Sequence, residues 1–181
     1  MKTMVWRFGT PWLALFALGI IPAGGSTGTG SQTLSATINP VGSITAPASA
    51  SLTTSTTTFQ PFHGNVAVNY QARTSAAGGG TITLSVSSDF SPSGGPSAAS
   101  GALTYTCSGA TLGSACSGSQ TASTTSQTPV LTLPPSACTG GGGVCSTQNP
   151  NSVSLSFTLT DNPGYATGAY TANVTFTIST T

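Results

Sequence analysis

Charged side chains are almost absent from this chain of 181 residues, which contains three Lys or Arg, two Asp and no Glu. A typical domain has roughly a quarter of its residues charged. Such a surface creates no electrostatic field that would attract nucleic acid or a charged substrate, so nucleic acid is not an expected partner. It also lacks the net charge that keeps neighbouring molecules apart. We therefore expect self-association, or association with other surface subunits.

Charged helix formers are scarce as well, because Glu is missing and Lys and Arg are few. Roughly a third of the residues are Ser or Thr, and Val, Ile, Phe and Tyr recur among them, a composition that favours pleated strands. Disorder is not indicated, since disordered chains combine low hydrophobicity with high net charge. The composition predicts an almost entirely β protein.

Catalytic side chains are also few. The chain has a single histidine, His63, and its only carboxylate side chains are Asp89 and Asp161. An enzyme needs groups that move protons, attack a substrate or hold a metal, and a glycosidase needs a pair of carboxylates at a defined separation. Both aspartates follow strands and begin turns, where Asp commonly bonds backbone amides. We predict that the protein is not an enzyme and binds no cofactor.

The N-terminal residues have the pattern of an export signal. Lys2 and Arg7 precede the apolar run "WLALFALGII" at 12–21, which small residues follow. This run is shorter than the ~20 residues that span a membrane. We predict a signal peptide over 1–25, a flexible lead over 26–31, a β-sandwich domain over 32–181, and no membrane span after cleavage. The expected location is secreted, either extracellular or on the cell surface; an uncleaved N-terminal anchor is the alternative.

The chain has four cysteines, and an even number in an exported chain predicts two disulfides. Local pairs, Cys107–Cys116 and Cys138–Cys145, are the simplest arrangement, and the nested pairs Cys107–Cys145 and Cys116–Cys138 are the alternative. The spacing differs from C-x-x-C, and the histidine is distant in sequence, so no metal site is expected.

Alternating apolar and polar residues predict seven to nine short strands separated by turns. "GNVAVNYQART" (64–74) and "TITLSVSS" (81–88) read as a hairpin across "AAGGG". "SVSLSFTLT" (152–160) and "GAYTANVTFTIST" (168–180) read as a second antiparallel pair. Short strands with one apolar face each predict an immunoglobulin-like, two-sheet antiparallel sandwich. A closed barrel is the alternative.

The strand in 168–180 must pair on at least one side, because an unpaired strand promotes aggregation, and 152–160 is expected to supply one neighbour. The segment "TLSATIN" (33–39) could supply the other, either from the same chain or from a neighbouring molecule, and strand addition of the second kind builds fibres. The residues expected to take part share one alternating face in each segment: Leu34, Ala36, Ile38, Tyr170, Val174, Phe176 and Ile178.

The same segment carries a resemblance. Gly168, Tyr170, Val174, Phe176 and Ile178 give the pattern G-x-Y-x-x-x-V-x-F-x-I. This pattern resembles the ending of secreted bacterial β-sandwich subunits of the spore-coat-U and fimbrial-subunit-like families. The resemblance implies a structural role at the cell surface.

The expected function is therefore that of a non-catalytic exported structural protein, a fimbria- or fibre-like subunit that assembles through strand pairing. The alternative is a carbohydrate-binding or adhesive module that uses loop aromatics. Most aromatic residues alternate toward the predicted core, which leaves Tyr165 in "NPGYATG" as the candidate glycan contact.

Overall fold

The computed structural model describes residues 32–54, 59–138, 145 and 150–181. These residues form nine β-strands and no α-helix, and the strands make up two sheets. The strands are β1 (Val41–Thr45), β2 (Phe62–Arg73), β3 (Gly80–Ser91), β4 (Leu103–Ser108), β5 (Ser114–Ala115), β6 (Gln120–Thr121), β7 (Thr128–Leu133), β8 (Asn151–Leu159) and β9 (Thr171–Thr180).

The two sheets confirm the predicted sandwich. One sheet has the strand order β1-β2-β8-β4-β6, the other has the order β5-β7-β3-β9, and every recorded pairing is antiparallel. The sandwich lies in a compact unit that spans Thr37–Thr181. Of the preceding unit, Met1–Ala36, the structure describes residues 32–36. The predicted signal peptide (1–25) and lead (26–31) lie outside the described residues.

The core forms because each long strand turns its apolar residues to one face. The inward side chains of β2 include the buried residues Val66, Val68 and Tyr70. From β8, the inward residues Val153 and Leu155 are fully buried. β2 pairs with β8 so that Val68 lies opposite Val153 and Val66 opposite Leu155. The outward positions carry Ser, Thr, Asn and Gln, so hydroxyls and amides provide the polar surface that charges normally supply.

Two buried tyrosines keep their hydroxyls bonded, as burial requires. The Tyr105 hydroxyl donates to the Pro129 carbonyl at 2.9 Å and lies 2.7 Å from the Thr128 hydroxyl. The Tyr70 hydroxyl donates to the Leu112 carbonyl and accepts from the Leu112 N–H. Burial raises the pKa of both phenols. The expectation that these aromatic residues belong to the core is confirmed.

The predicted hairpin of 64–74 with 81–88 is wrong, because β2 and β3 lie in different sheets. Thr74, which follows β2, is buried, and its hydroxyl donates to the Pro134 carbonyl and accepts from the Ala137 N–H, each at 2.8 Å. The glycines that follow are needed for close backbone approach. A Cβ at Gly79 would lie 2.7 Å from the Leu133 carbonyl oxygen, and one at Gly80 2.5 Å from that of Ser179.

The predicted pairing of the last two strands is also wrong. β8 lies between β2 and β4 in one sheet, whereas β9 pairs with β3 in the other. Residues 160–170 therefore cross between the sheets instead of closing a hairpin. Alternation shows which face of a strand is buried, but both arrangements bury the same faces, so the pattern could not distinguish them.

The disulfides follow the local pairing. Cys107 is joined to Cys116, and Cys138 to Cys145. Cys107 belongs to β4, and Cys116 immediately follows β5, so the first bond connects the two sheets along one side of the sandwich. Each closed loop stabilises the fold by about 2–4 kcal/mol, chiefly by restricting the unfolded chain.

Candidate strand-docking edge

β9 forms one edge of the four-stranded sheet. Its inward side chains are set by register with β3, with Val174 opposite Val86, Phe176 opposite Leu84 and Ile178 opposite Ile82. Among the described residues, no strand pairs with β9 on its other side. The strand therefore presents a row of backbone N–H and C=O groups along that side.

The core is less well covered at β9 than one strand further in. On β3, the inward residues Ile82 and Leu84 are 0% exposed. Their cross-strand neighbours on β9, Ile178 and Phe176, are only partly buried, as is Val174. A further strand beside β9 would remove this apolar surface from water, and that removal is favourable.

The two sides of the sandwich differ in how their edges are protected. On one side lie β5 and β6, each two residues long, together with the Cys107–Cys116 bond between the sheets. On the other side β9 runs for ten residues without proline or a charged side chain. Short strands, prolines and charges are the usual devices that stop an edge from pairing. β9 has none of these three, and the register shifts in its pairing with β3 are confined to its N-terminal end, at Thr171–Val174.

The edge strand of the opposite sheet, β1, lies close to β9 on this side. A Cβ on Gly42 would lie 3.1–3.2 Å from three carbons of the Ile178 side chain. Gly42 and Ile44 share the inward alternation of β1, so only Ile44 contributes a side chain there, and it is partly buried. We name the surface formed by the free side of β9 and the inward side chains Val174, Phe176 and Ile178 the docking edge.

The expected strand over 33–39 is not present. Residues 32–40 belong to no strand, and all nine are exposed; the first strand of the described part of the chain begins at Val41. The side chains of Leu34 and Ile38 are 87% and 73% exposed. Pro40, which lacks a backbone N–H, separates this segment from β1. Pairing of Leu34, Ala36 and Ile38 with β9, in the same chain or in a neighbouring molecule, therefore stays a prediction.

Tyr170 does not belong to β9, contrary to the sequence-based prediction. It immediately precedes the strand, and its hydroxyl donates to the Ala166 carbonyl at 2.7 Å. Its ring lies against Gly95 so closely that a Cβ there would overlap it. Ala166 N–H in turn donates to the Gly94 carbonyl at 2.8 Å. Tyr170 therefore fastens the crossing loop to the loop after β3, a role that its place in the alternating run concealed.

Replacing Gly95 by alanine is expected to displace the Tyr170 ring and lower the free energy of unfolding by about 1–3 kcal/mol, the usual cost of overpacking. Gly168→Ala is the matched control, because its Cβ would meet the same ring at 3.7 Å or more, an ordinary contact. Urea unfolding followed by tyrosine fluorescence measures both variants. Equal stability of the two would contradict this role of Gly95.

One ionisable group outside the docking edge is held by several hydrogen bonds. The Asp89 carboxylate accepts from the Ser97 hydroxyl at 2.6 Å and from the N–H groups of Ala98 at 2.7 Å, Phe90 at 2.8 Å and Ala99 at 3.3 Å. Burial alone would raise the pKa of Asp89, but these bonds outweigh it and hold the pKa below its ordinary value. Asp89 therefore organises the turn that leads to β4.

Because its pKa is lower in the folded state, Asp89 contributes stability above its unfolded pKa of about 3.9. That contribution is lost as the pH falls through the folded pKa. We expect Asp89→Ala to cost about 1–2 kcal/mol at pH 7 and much less near pH 2. Asp161→Ala, which removes the other carboxylate side chain, is the control for charge. Thermal unfolding from pH 7 to pH 2 tests this, and a pH-independent loss in Asp89→Ala would contradict it.

The other candidate residues do not converge. The His63 ring nitrogen Nδ1 lies 3.2 Å from the Thr158 hydroxyl on the outer face of the five-stranded sheet. Within the described chain, no three His, Cys, Asp or Glu side chains come together in a way that could hold a metal ion. Tyr165, the candidate glycan contact, is partly buried in the crossing loop, whereas Phe59 is exposed.

The described surface has shallow depressions. One, of about 350 Å³, opens over β1 and β2, and its lining includes Ser43, Thr45, Asn69 and Gln71 but no charged side chain. No helix among the described residues is long and apolar enough to cross a membrane.

In comparisons with known proteins, no family model, no curated protein and no solved structure matches this chain.

Proposed function

We propose that the protein is a non-catalytic, exported structural subunit of the bacterial cell surface that assembles into fibres by strand pairing. The observation that carries the proposal is the docking edge, a ten-residue edge strand with unprotected backbone groups and partly exposed apolar side chains. An edge of this kind recruits an extended segment, whose backbone supplies affinity and whose alternate side chains supply fit.

The segment 33–39 has the properties that such an edge requires. Leu34, Ala36 and Ile38 alternate with polar residues, so an extended conformation brings all three to one face. Their side chains are exposed, and their backbone belongs to no strand. We name residues 33–39 the donor segment. In the proposed assembly, the donor segment of one molecule lies beside β9 of the next and covers Val174, Phe176 and Ile178.

Head-to-tail contacts of this kind form a closed ring only if the rotations between successive subunits add up to a full turn. Otherwise the subunits extend into filaments. The low charge supports this, because Arg73, Asp89 and Asp161 are the only Lys, Arg, Asp or Glu side chains among the described residues. Little repulsion therefore opposes the approach of one copy to another.

The two disulfides support an oxidising compartment outside the cytosol. The resemblance to spore-coat-U and fimbrial-subunit-like proteins points to the same kind of subunit.

The experiment compares the exported protein with the variant Leu34→Asn/Ile38→Asn, which keeps the length and neutrality of the donor segment but removes its apolar side chains. Sedimentation velocity over a range of concentrations and electron microscopy of the same samples measure assembly. We expect the unmodified protein to form concentration-dependent linear assemblies and the variant to remain monomeric. A protein that stays monomeric at high concentration, or a variant that assembles equally well, would refute the proposal.

A further inference from the structure

The junction between the donor segment and the sandwich is held by the only Lys or Arg side chain among the described residues. Arg73 is the last residue of β2 and lies opposite Val41, the first residue of β1. Its Nη2 donates to the Asn39 carbonyl oxygen at 2.7 Å, and its Nε donates to the same oxygen at 3.2 Å. Two donors of a rigid guanidinium thus converge on one backbone atom, two residues before β1.

Pro40 adds a second constraint at the same place. Its ring fixes its own φ and removes its N–H, so this residue cannot donate a strand hydrogen bond. It also restricts Asn39 to extended conformations, because the proline ring would clash with a helical residue before it. A hydrogen-bonded carbonyl on one side and a fixed ring on the other leave the Asn39–Pro40 link little freedom. Ile38, the next residue toward the N-terminus, is nevertheless exposed.

This use of arginine is unusual for a chain so poor in charge. Asn39 is exposed, so water could bond its carbonyl oxygen equally well and no desolvation penalty demands a protein donor. The planar guanidinium of Arg73 donates in fixed directions, so its bonds to the Asn39 carbonyl define where the backbone leaves the sheet. Ordering a segment before it binds reduces the entropy that binding must overcome.

We propose that Arg73 is a positioning residue for assembly: it fixes the conformation in which the donor segment leaves β1 and so prepares that segment to enter the docking edge of a second copy. This inference rests on the proposed function. It assigns Arg73 to the donating subunit, because the atom that its guanidinium holds, the Asn39 carbonyl oxygen, belongs to the donor segment and not to β9. Loss of the guanidinium should therefore weaken assembly only when the donating molecule carries the change.

A pair of complementary full-length proteins tests this asymmetry. Phe176→Lys places a charge in the docking edge and leaves the donor segment intact, so this molecule only donates. Leu34→Asn/Ile38→Asn leaves the docking edge intact, so this molecule only accepts. The pair can form a single heterologous contact, and its dissociation constant is measured by fluorescence anisotropy with one partner labelled. Arg73→Gln is then introduced into the donor or into the acceptor, with unfolding midpoints recorded for both.

We expect Arg73→Gln to raise the dissociation constant about tenfold in the donor and to leave it unchanged in the acceptor. Arg73→Lys, which keeps the charge without the fork, should fall between these values, and it replaces Arg73→Gln if that variant folds poorly. An equal loss in both positions would show a general effect on folding and overturn the inference, as would no loss in the donor. If the unmodified pair does not associate at all, the proposed function fails first.

Discussion

Phe176→Lys is expected to leave the sandwich folded while lowering the association constant for assembly by at least about 100-fold. Phe176 lies in the middle of β9 on its inward face, where a docked strand would cover it. Lysine there can extend its ammonium group toward water along the open side of the sandwich, so the monomer tolerates it. A docked strand would bury that charge without a partner, which typically costs several kcal/mol. Inward-pointing lysines protect natural edge strands in the same way.

The control must separate the position of the charge from the charge itself. Thr106→Lys adds the same charge on the exposed outer face of β4, in the sheet that does not contain β9. Sedimentation velocity should show assembly of Thr106→Lys close to that of the unmodified protein and none for Phe176→Lys, with both variants giving a β-type circular dichroism spectrum. Equal loss of assembly in the two variants would mean that net charge, and not the docking edge, controls association.

The sequence predicted the layers of the fold better than their connections. Alternation identified the inward faces of β2, β3, β8 and β9, and hence a two-sheet sandwich, because burial of one face imposes a period of two. It could not identify strand partners. After β2 the chain crosses to the other sheet, and there the Thr74 hydroxyl bonds Pro134 and Ala137, which lie 60 and 63 residues further along. Such a long-range contact leaves no periodic trace in the sequence.

The same distinction explains the candidate site. Val174, Phe176 and Ile178 could be predicted as one face, but the incomplete burial of that face depends on β9 being an edge strand, which is a property of sheet order. Tyr170 continues the same alternation in the sequence, which predicts that it belongs to this face, but its contact with Gly95 gives it a different role. The role of Arg73 could not be predicted either, since nothing in the sequence connects it with the carbonyl of Asn39, 34 residues away.

The burial gradient across the four-stranded sheet yields the second large effect. Leu84 and Phe176 lie directly opposite each other on β3 and β9, yet Leu84 is fully buried and Phe176 is not. Truncating a buried leucine removes its transfer free energy and leaves a cavity, so Leu84→Ala should lower the free energy of unfolding of the monomer by about 2.5–5 kcal/mol. Phe176→Ala removes a larger side chain but should cost only about 1–2 kcal/mol, because water already reaches it.

The two substitutions should have the opposite order of effect on association, where Phe176→Ala is expected to be the more damaging. A docked strand would bury Phe176 but adds nothing around Leu84, so Phe176→Ala should weaken association about tenfold or more while Leu84→Ala leaves the association of folded subunits nearly unchanged. Urea unfolding of the monomer, made in the Leu34→Asn/Ile38→Asn background, measures the first quantity. Titration of a labelled donor-only subunit against each variant measures the second. If Phe176→Ala destabilised the monomer as much as Leu84→Ala and left association unchanged, β9 would be an ordinary core strand and the docking edge would lose its physical basis.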